Sequence, residues 1–342
     1  MAGTHSVSVL DAEALPAAAP SDANAVNDSL KKDEDGGIET QSSTRSKPIP
    51  LWKDYLLLTK PRVISLLLFT TWTAMVIADG RWPGWVLFWA TGLGFYMAAG
   101  AAHVVNMILD RDIDLAMKRT SQRALASGRI SVGSASVFAA ALGIGSFALL
   151  WTLATPLSAW MATAGALFYV VVYTMLLKRR TWSNIVIGGA AGSFPPLVGW
   201  AAVTGTLPPL AWCLFAIIFL WTPVHFWALA IMIKDDYAQV GVPMLPVVKG
   251  ERATAVQICW YTVLTVAVSL LPAFIFSPNG RVSWFYLGCA GLLNAILAWS
   301  CWRLMREPQV RARASSLFHY SMLYLALLFL ALAVDRAVFA HL

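Results

Sequence analysis

Asn106, Asp110 and Asp114 recur at four-residue intervals where an apolar run that begins near Trp85 comes to its end. On a helix, successive members of such a series rotate by only about 40°, so their oxygens share one stripe roughly 12 Å long. Carboxylates at the mouth of a membrane span are costly unless something cationic meets them. The stripe is too long for one small ion to be gripped by all three groups. It suits one or two Mg²⁺ ions with open positions, because Mg²⁺ takes one or two carboxylates and fills its shell with water and phosphate oxygens. Asp112 lies off the stripe and is assigned to pairing with an arginine. A basic cluster follows at Lys118, Arg119 and Arg123, and Arg62 is placed where the first span leaves the same side. Such groups neutralise a bound diphosphate, Arg through bidentate hydrogen bonds and Lys as a point charge.

A second polar group, Lys234, Asp235 and Asp236, ends another apolar run and precedes a break at Gly241 and Pro243. A solvated loop is the plain reading; a second acidic motif facing the same cavity is the functional one. His225 is set inside the apolar run beside Pro223, Phe226 and Trp227. An intramembrane histidine either bonds a neighbouring helix or contacts a metal or macrocycle. His103 and His319 carry less. Tyr173, Lys178 and Arg179 close one further run, and Asn184 opens the next, which continues through glycines to Pro195 and Pro196.

The elements that must position these groups are membrane spans. The chain has 342 residues, 58% hydrophobic and 13% charged, with 16 Trp. That composition predicts an all-α polytopic membrane protein. Nine runs approach the ~20 residues of a bilayer crossing, near 62–78, 85–106, 134–153, 158–177, 184–203, 210–232, 253–276, 283–302 and 316–338. Connections on one side carry fifteen Lys and Arg, against Arg81, Arg281 and Arg336 on the other. The asymmetry predicts the basic loops and N-terminus in the cytoplasm and the C-terminus outside, with an odd number of spans. Basic residues scattered over short loops exclude nucleic acid as a partner and fit anionic lipid headgroups.

Residues 1–48 are rich in Ala, Ser, Asp and Gly, with eight acids and four bases, and are expected to form a disordered cytoplasmic tail ahead of a nine-helix domain over 49–342. Their acids do not suit a mitochondrial transit peptide, which points to a bacterial inner membrane. Cys213, Cys259, Cys289 and Cys301 stand apart, without metal-site or disulfide spacing.

Five separated motifs resemble the UbiA superfamily of intramembrane prenyltransferases, and within it the haem-farnesylating branch. They are Asn106 to Asp114, Met117 to Thr120, Tyr173 to Arg179, Asn184 to Gly189, and Asp236 to Pro246, in that order. The resemblance implies nine helices around a central cavity, in which a vinyl group of haem B attacks Mg²⁺-bound farnesyl diphosphate and water completes the product. It implies Asn106, Asp110, Asp114 and Asp236 as metal ligands, with Asp235 beside them in the catalytic set. Arg62, Lys118, Arg119, Arg123, Lys178, Arg179 and Lys234 would face the diphosphate. His225, Tyr173, Asn184 and Trp227 would line the substrate pocket, that of the prenyl chain or of the haem, and a haem A synthase is the expected downstream partner. Superfamily members with aromatic substrates have an Asp near the place of His225 and a richer second acidic run. The competing readings are a transferase for a benzoate or naphthoate ring and an ion-coupled transporter; acids gathered at one face, away from the midplane, argue against the transporter.

Overall fold

The computed structural model describes residues 50–117, 120–275 and 282–339. The expected tail over 1–48, together with Lys118 and Arg119, lies outside them. Among the described residues all regular structure is helical, and nine helices are long and apolar enough to cross a membrane. A short helix α1 (Leu51–Leu58) precedes the first span α2 (Pro61–Asp79), which is followed by α3 (Trp85–Leu109) and the short α4 (Arg111–Ala116). The next spans are α5 (Val132–Leu153), α6 (Pro156–Leu177), α7 (Asn184–Thr204) and α8 (Pro209–Met232). Short helices α9 (Lys234–Gln239) and α10 (Leu245–Val248) then lead to α11 (Gly250–Ala273), α12 (Trp284–Arg306) and α13 (Arg311–Phe339). Each span coincides with an apolar run of the sequence to within about five residues, as hydropathy over a bilayer's width dictates.

Burial separates the spans into interior and outer helices. About two thirds of α7 and α8 is buried, against 17% of α5 and α6. The largest apolar cluster runs from α8 through α11, α12 and α13, with Trp227, Tyr286, Tyr324 and Phe329 in its centre. Between helices the contacts depend on small residues, as expected where lipid tails compete with side chains for apolar surface. On α3 and α5, the buried Ser146 hydroxyl donates to the Gly94 carbonyl at 2.6 Å. On α2 and α7, a Cβ at Gly199 would stand 2.1 Å from the Thr71 carbonyl oxygen.

Two irregularities bear on the stripe. The last ten residues of α6, Phe168–Leu177, form a π-helix, whose wider turns leave the Thr174 hydroxyl donating to the Tyr169 carbonyl five residues back at 2.9 Å. Lys60, between α1 and α2, is left-handed (φ 55°), the one such non-glycine among the described residues. A lysine in that region costs about 1–2 kcal/mol. Pro61 starts α2 immediately afterwards, where its missing N–H costs nothing. The corner is pinned to α3 by the hydroxyls of Thr59 and Tyr96, 2.6 Å apart.

Candidate active site at the end of α3

The chain turns at Asp110, so α3 and α4 are separate helices, yet the four-residue register survives. The Asp110 amide donates to the Asn106 carbonyl at 2.9 Å and the Asp114 amide to the Asp110 carbonyl at 2.8 Å. Asn106, Asp110 and Asp114 are all buried, 4%, 2% and 6% exposed. Buried carboxylates require partners, and cations supply them here. Lys178 pairs with Asp110 Oδ2, and Arg123 donates to both oxygens of Asp114 at 2.7 and 2.8 Å. Arg179 bonds Asp112 through both of its terminal nitrogens at 2.7 Å and reaches Asp110 Oδ1 at 3.4 Å. Its hydrogen bonds hold the Asp112 carboxyl down at about 2. The sequence assignment of Asp112 to an arginine is thus what the structure has.

Two residues of the site went unrecognised in the sequence. Lys60 donates to Asn106 Oδ1 at 3.2 Å, and the strained corner described above is what aims it there. Desolvation, then the nearby Arg123 and Lys178, pull its amine down to about 7. Thr174, on the π-helical turn, accepts from Asn106 Nδ2 at 3.2 Å, while the same nitrogen donates to Asp110 Oδ2 at 2.7 Å. The sequence signal for Lys60 was a lysine before Pro61 and between two helices; Thr174 had only its place in the Tyr-Thr motif. His103, one turn earlier on α3, is buried with Nδ1 unpartnered and its ring edge-on to Tyr169.

The loop carrying Arg123 has its own fastening. Arg129 donates to both oxygens of the buried Asp54 on α1, each at 3.0 Å, and to the Gln122 carbonyl at 3.1 Å. Asp54→Asn is expected to cost on the order of 1–3 kcal/mol and to open residues 120–131 to limited proteolysis. Exchanging the pair, Asp54→Arg with Arg129→Asp, should recover most of the protection; unchanged cleavage in Asp54→Asn would refute the fastening.

The remaining predicted residues have varied surroundings. Arg62 is exposed and has no ion pair among the described residues, because the turn at Lys60 directs the lysine inward in its place. Asp235 is 77% exposed at its side chain and pairs with Arg311 at 2.5 Å. Lys234 turns to Glu251 at 3.5 Å. Asp236 is half-buried, and its neighbour Tyr237 is within electrostatic reach of Tyr169 and Tyr173. Tyr173 stacks on Tyr169 at 5.4 Å, and Gly188 must be a glycine where it meets that ring, since a Cβ would stand 2.3 Å from Tyr173 Cδ2. Asn184 is fully buried and donates to the Lys178 carbonyl at 3.1 Å, bracing the end of α6, while its Oδ1 has no partner. Trp227 is fully buried against Tyr261 in the main cluster, with its indole nitrogen unpartnered. His225 is clamped between Trp221 and Phe318, each at 4.5 Å, with Nδ1 2.8 Å from Ser321 Oγ. Its Nδ1 is thus bonded to the neighbouring α13.

Among the described residues no three His, Cys, Asp or Glu side chains converge on a ready-made metal cage. The donors at the stripe are hard oxygens, two carboxylates and one amide. They fit a cation such as Mg²⁺ that completes its shell with phosphate oxygens.

The UbiA prenyltransferase family model matches residues 67–332. A protoheme IX farnesyltransferase of Thermus thermophilus is 59% identical over 287 residues, 84% of this chain and 46% of the relative. The chain thus spans about half the length of that relative. One of Deinococcus radiodurans is 56% identical over 299 residues, 84% of this chain and 94% of the relative. Among solved structures, a digeranylgeranylglyceryl phosphate synthase superposes with a TM-score of 0.67 at 21% identity, covering 84% of this chain and 98% of the other. A UbiA homolog from Archaeoglobus fulgidus bound to GPP and Mg2+ gives 0.58 at 16%, covering 82% and 100%.

Proposed function

Because the chain belongs to the UbiA prenyltransferase family, we propose that it transfers a farnesyl group from farnesyl diphosphate to a vinyl group of haem B, with addition of water, giving haem O and diphosphate. The observation that carries the reading is the 56% identity to a protoheme IX farnesyltransferase over 94% of that relative. The buried oxygen stripe ringed by cations supports it. Mg²⁺, held by Asp110 and Asp114 with Asn106 beside them, would neutralise the diphosphate and make it a better leaving group.

The chain's own residues do the remainder. Lys60, Arg123, Lys178 and Arg179 stand where a diphosphate entering the stripe meets four cations, and each can turn from its present partner to a phosphate oxygen. As the C1–O bond of the farnesyl group breaks, these donors stabilise the departing anion without needing to reorganise water. The stacked rings of Tyr169 and Tyr173 stand next to the same carboxylates and offer aromatic faces to the allylic cation. The vinyl carbon then bonds C1, water adds to the adjacent carbon, and its proton leaves. Apolar surroundings that keep the prenyl chain dry would delay water until the carbon–carbon bond has formed. The excess of basic loops supports a bacterial inner membrane with the stripe and the N-terminus on the cytoplasmic side and the C-terminus outside. A haem A synthase is the partner to which this product would pass.

Purified protein incubated with haem B, farnesyl diphosphate and Mg²⁺ is expected to yield a hydroxyethylfarnesyl haem by mass spectrometry. Prenylation of a benzoate or naphthoate acceptor alone would overturn the haem assignment. His225→Phe keeps the ring stack and is expected to leave transfer within about threefold. A hundredfold loss would return His225 to the porphyrin site.

A further inference from the structure

Apart from the stripe, the side of the protein that carries the basic loops has a groove of about 610 Å³ between the start of α11 and the end of α12. Lys234, Lys249, Arg252 and Arg306 line it, together with Glu251 and Glu307. Both acids are committed, Glu251 to Lys234 at 3.5 Å and Glu307 to Arg313 at 2.6 Å. Lys249, Arg252 and Arg306 have no acidic partner among the described residues. The groove therefore presents three uncompensated positive charges.

Aromatic rings hold two of those cations in place. The Lys249 amine stands 4.0 Å over the ring of Trp182, and the Arg306 guanidinium 4.8 Å over Trp302. Trp302 stacks in turn on Trp299, 4.8 Å away, and both are exposed on the outer face of α12. Exposed tryptophans on a membrane span mark the level where headgroups meet acyl chains. The cations thus sit at headgroup height, with an aromatic ledge running from them towards the hydrocarbon.

We propose that this groove binds the headgroup phosphate of an anionic phospholipid from the leaflet on the basic-loop side, with one acyl chain lying along Trp302 and Trp299. A free phosphate would use the cations alone, whereas a lipid also uses the ledge. The assignment stands on the charges at the start of α11 and the end of α12 and on the rings of Trp182, Trp299 and Trp302, and is independent of the transferase reading.

Native mass spectrometry of the full chain, released from detergent with added phosphatidylglycerol or phosphatidylcholine, tests it. Phosphatidylglycerol adducts should persist where phosphatidylcholine adducts do not. Lys249→Gln, Arg252→Gln and Arg306→Gln combined should weaken retention about a hundredfold, roughly fivefold per charge removed, with prenyl transfer unchanged. Trp302→Ala should weaken the lipid without altering any competition by inorganic phosphate. Should the triple variant not fold, the exposed Arg252→Gln alone should show its fivefold share. Wild-type retention by the variants, or displacement of the lipid by millimolar inorganic phosphate alone, overturns the proposal.

Discussion

Asp114→Ala is expected to lower farnesyl transfer by about a thousandfold or more while the protein still inserts and folds. Asp114 is the cleaner of the two carboxylates to remove. Its one side-chain cation among the described residues, Arg123, is about a third exposed and can return to water when its partner is lost, so little stability is at stake. Asp110 differs, because Lys178 is 16% exposed and would be left more deeply stranded. Asp110→Asn, which retains the shape and one oxygen, is therefore the better probe there, with a similar loss of turnover expected. Product analysis by mass spectrometry, beside circular dichroism of the same preparations, checks both. Product within tenfold of wild type from either variant would remove the stripe from the chemistry.

The second large effect concerns the seam between α2 and α7. Gly199→Ala puts a methyl 2.1 Å from the Thr71 carbonyl oxygen. That obstacle is backbone, not a side chain that can swing aside, so one helix must move. Overpacking of this kind costs about 1–3 kcal/mol, and a rigid obstacle puts this site at the upper end. Gly288→Ala on α12 has nothing within 4 Å of the new methyl and should be neutral or stabilising by up to about 1 kcal/mol. Thermal unfolding in one detergent compares them. If Gly199→Ala melts with Gly288→Ala, the seam is looser than described. Because α2 starts at the Lys60 corner, a Gly199 variant that stays folded should also lose transfer activity.

What could be read from the chain was set by local rules. Nine spans follow from hydropathy over a fixed width, and the stripe follows from four-residue spacing, which survives even the turn at Asp110. What could not be read depends on pairs far apart in sequence. Lys60 meets Asn106 across 46 residues, Asn106 meets Thr174 across 68, and Arg129 meets Asp54 across 75. No periodicity reports such meetings. The π-helical turn that brings Thr174 to Asn106 has no marker in its residues, for which a regular α-helix would be the natural expectation. Arg62 is named for its place at the foot of the first span, and only the left-handed backbone at Lys60 reveals that its neighbour is the one turned inward. The sequence is likewise silent on the surroundings of Asp235 and Trp227, one of which is in an exposed ion pair and the other in a packed cluster.

The pairing of Asp110 and Asp114 with Lys178, Arg179 and Arg123 gives the resting protein a site that is electrically quiet. Under the transferase reading, loading is then an exchange of tenants: the bases pass from carboxylate to phosphate as the acids pass from base to metal. Since a nearly neutral set of ions is traded for another, affinity for the prenyl donor should depend only weakly on ionic strength, unlike that of an open basic patch. Metal and diphosphate should also help one another to enter, because either alone leaves half of the displaced charges without company.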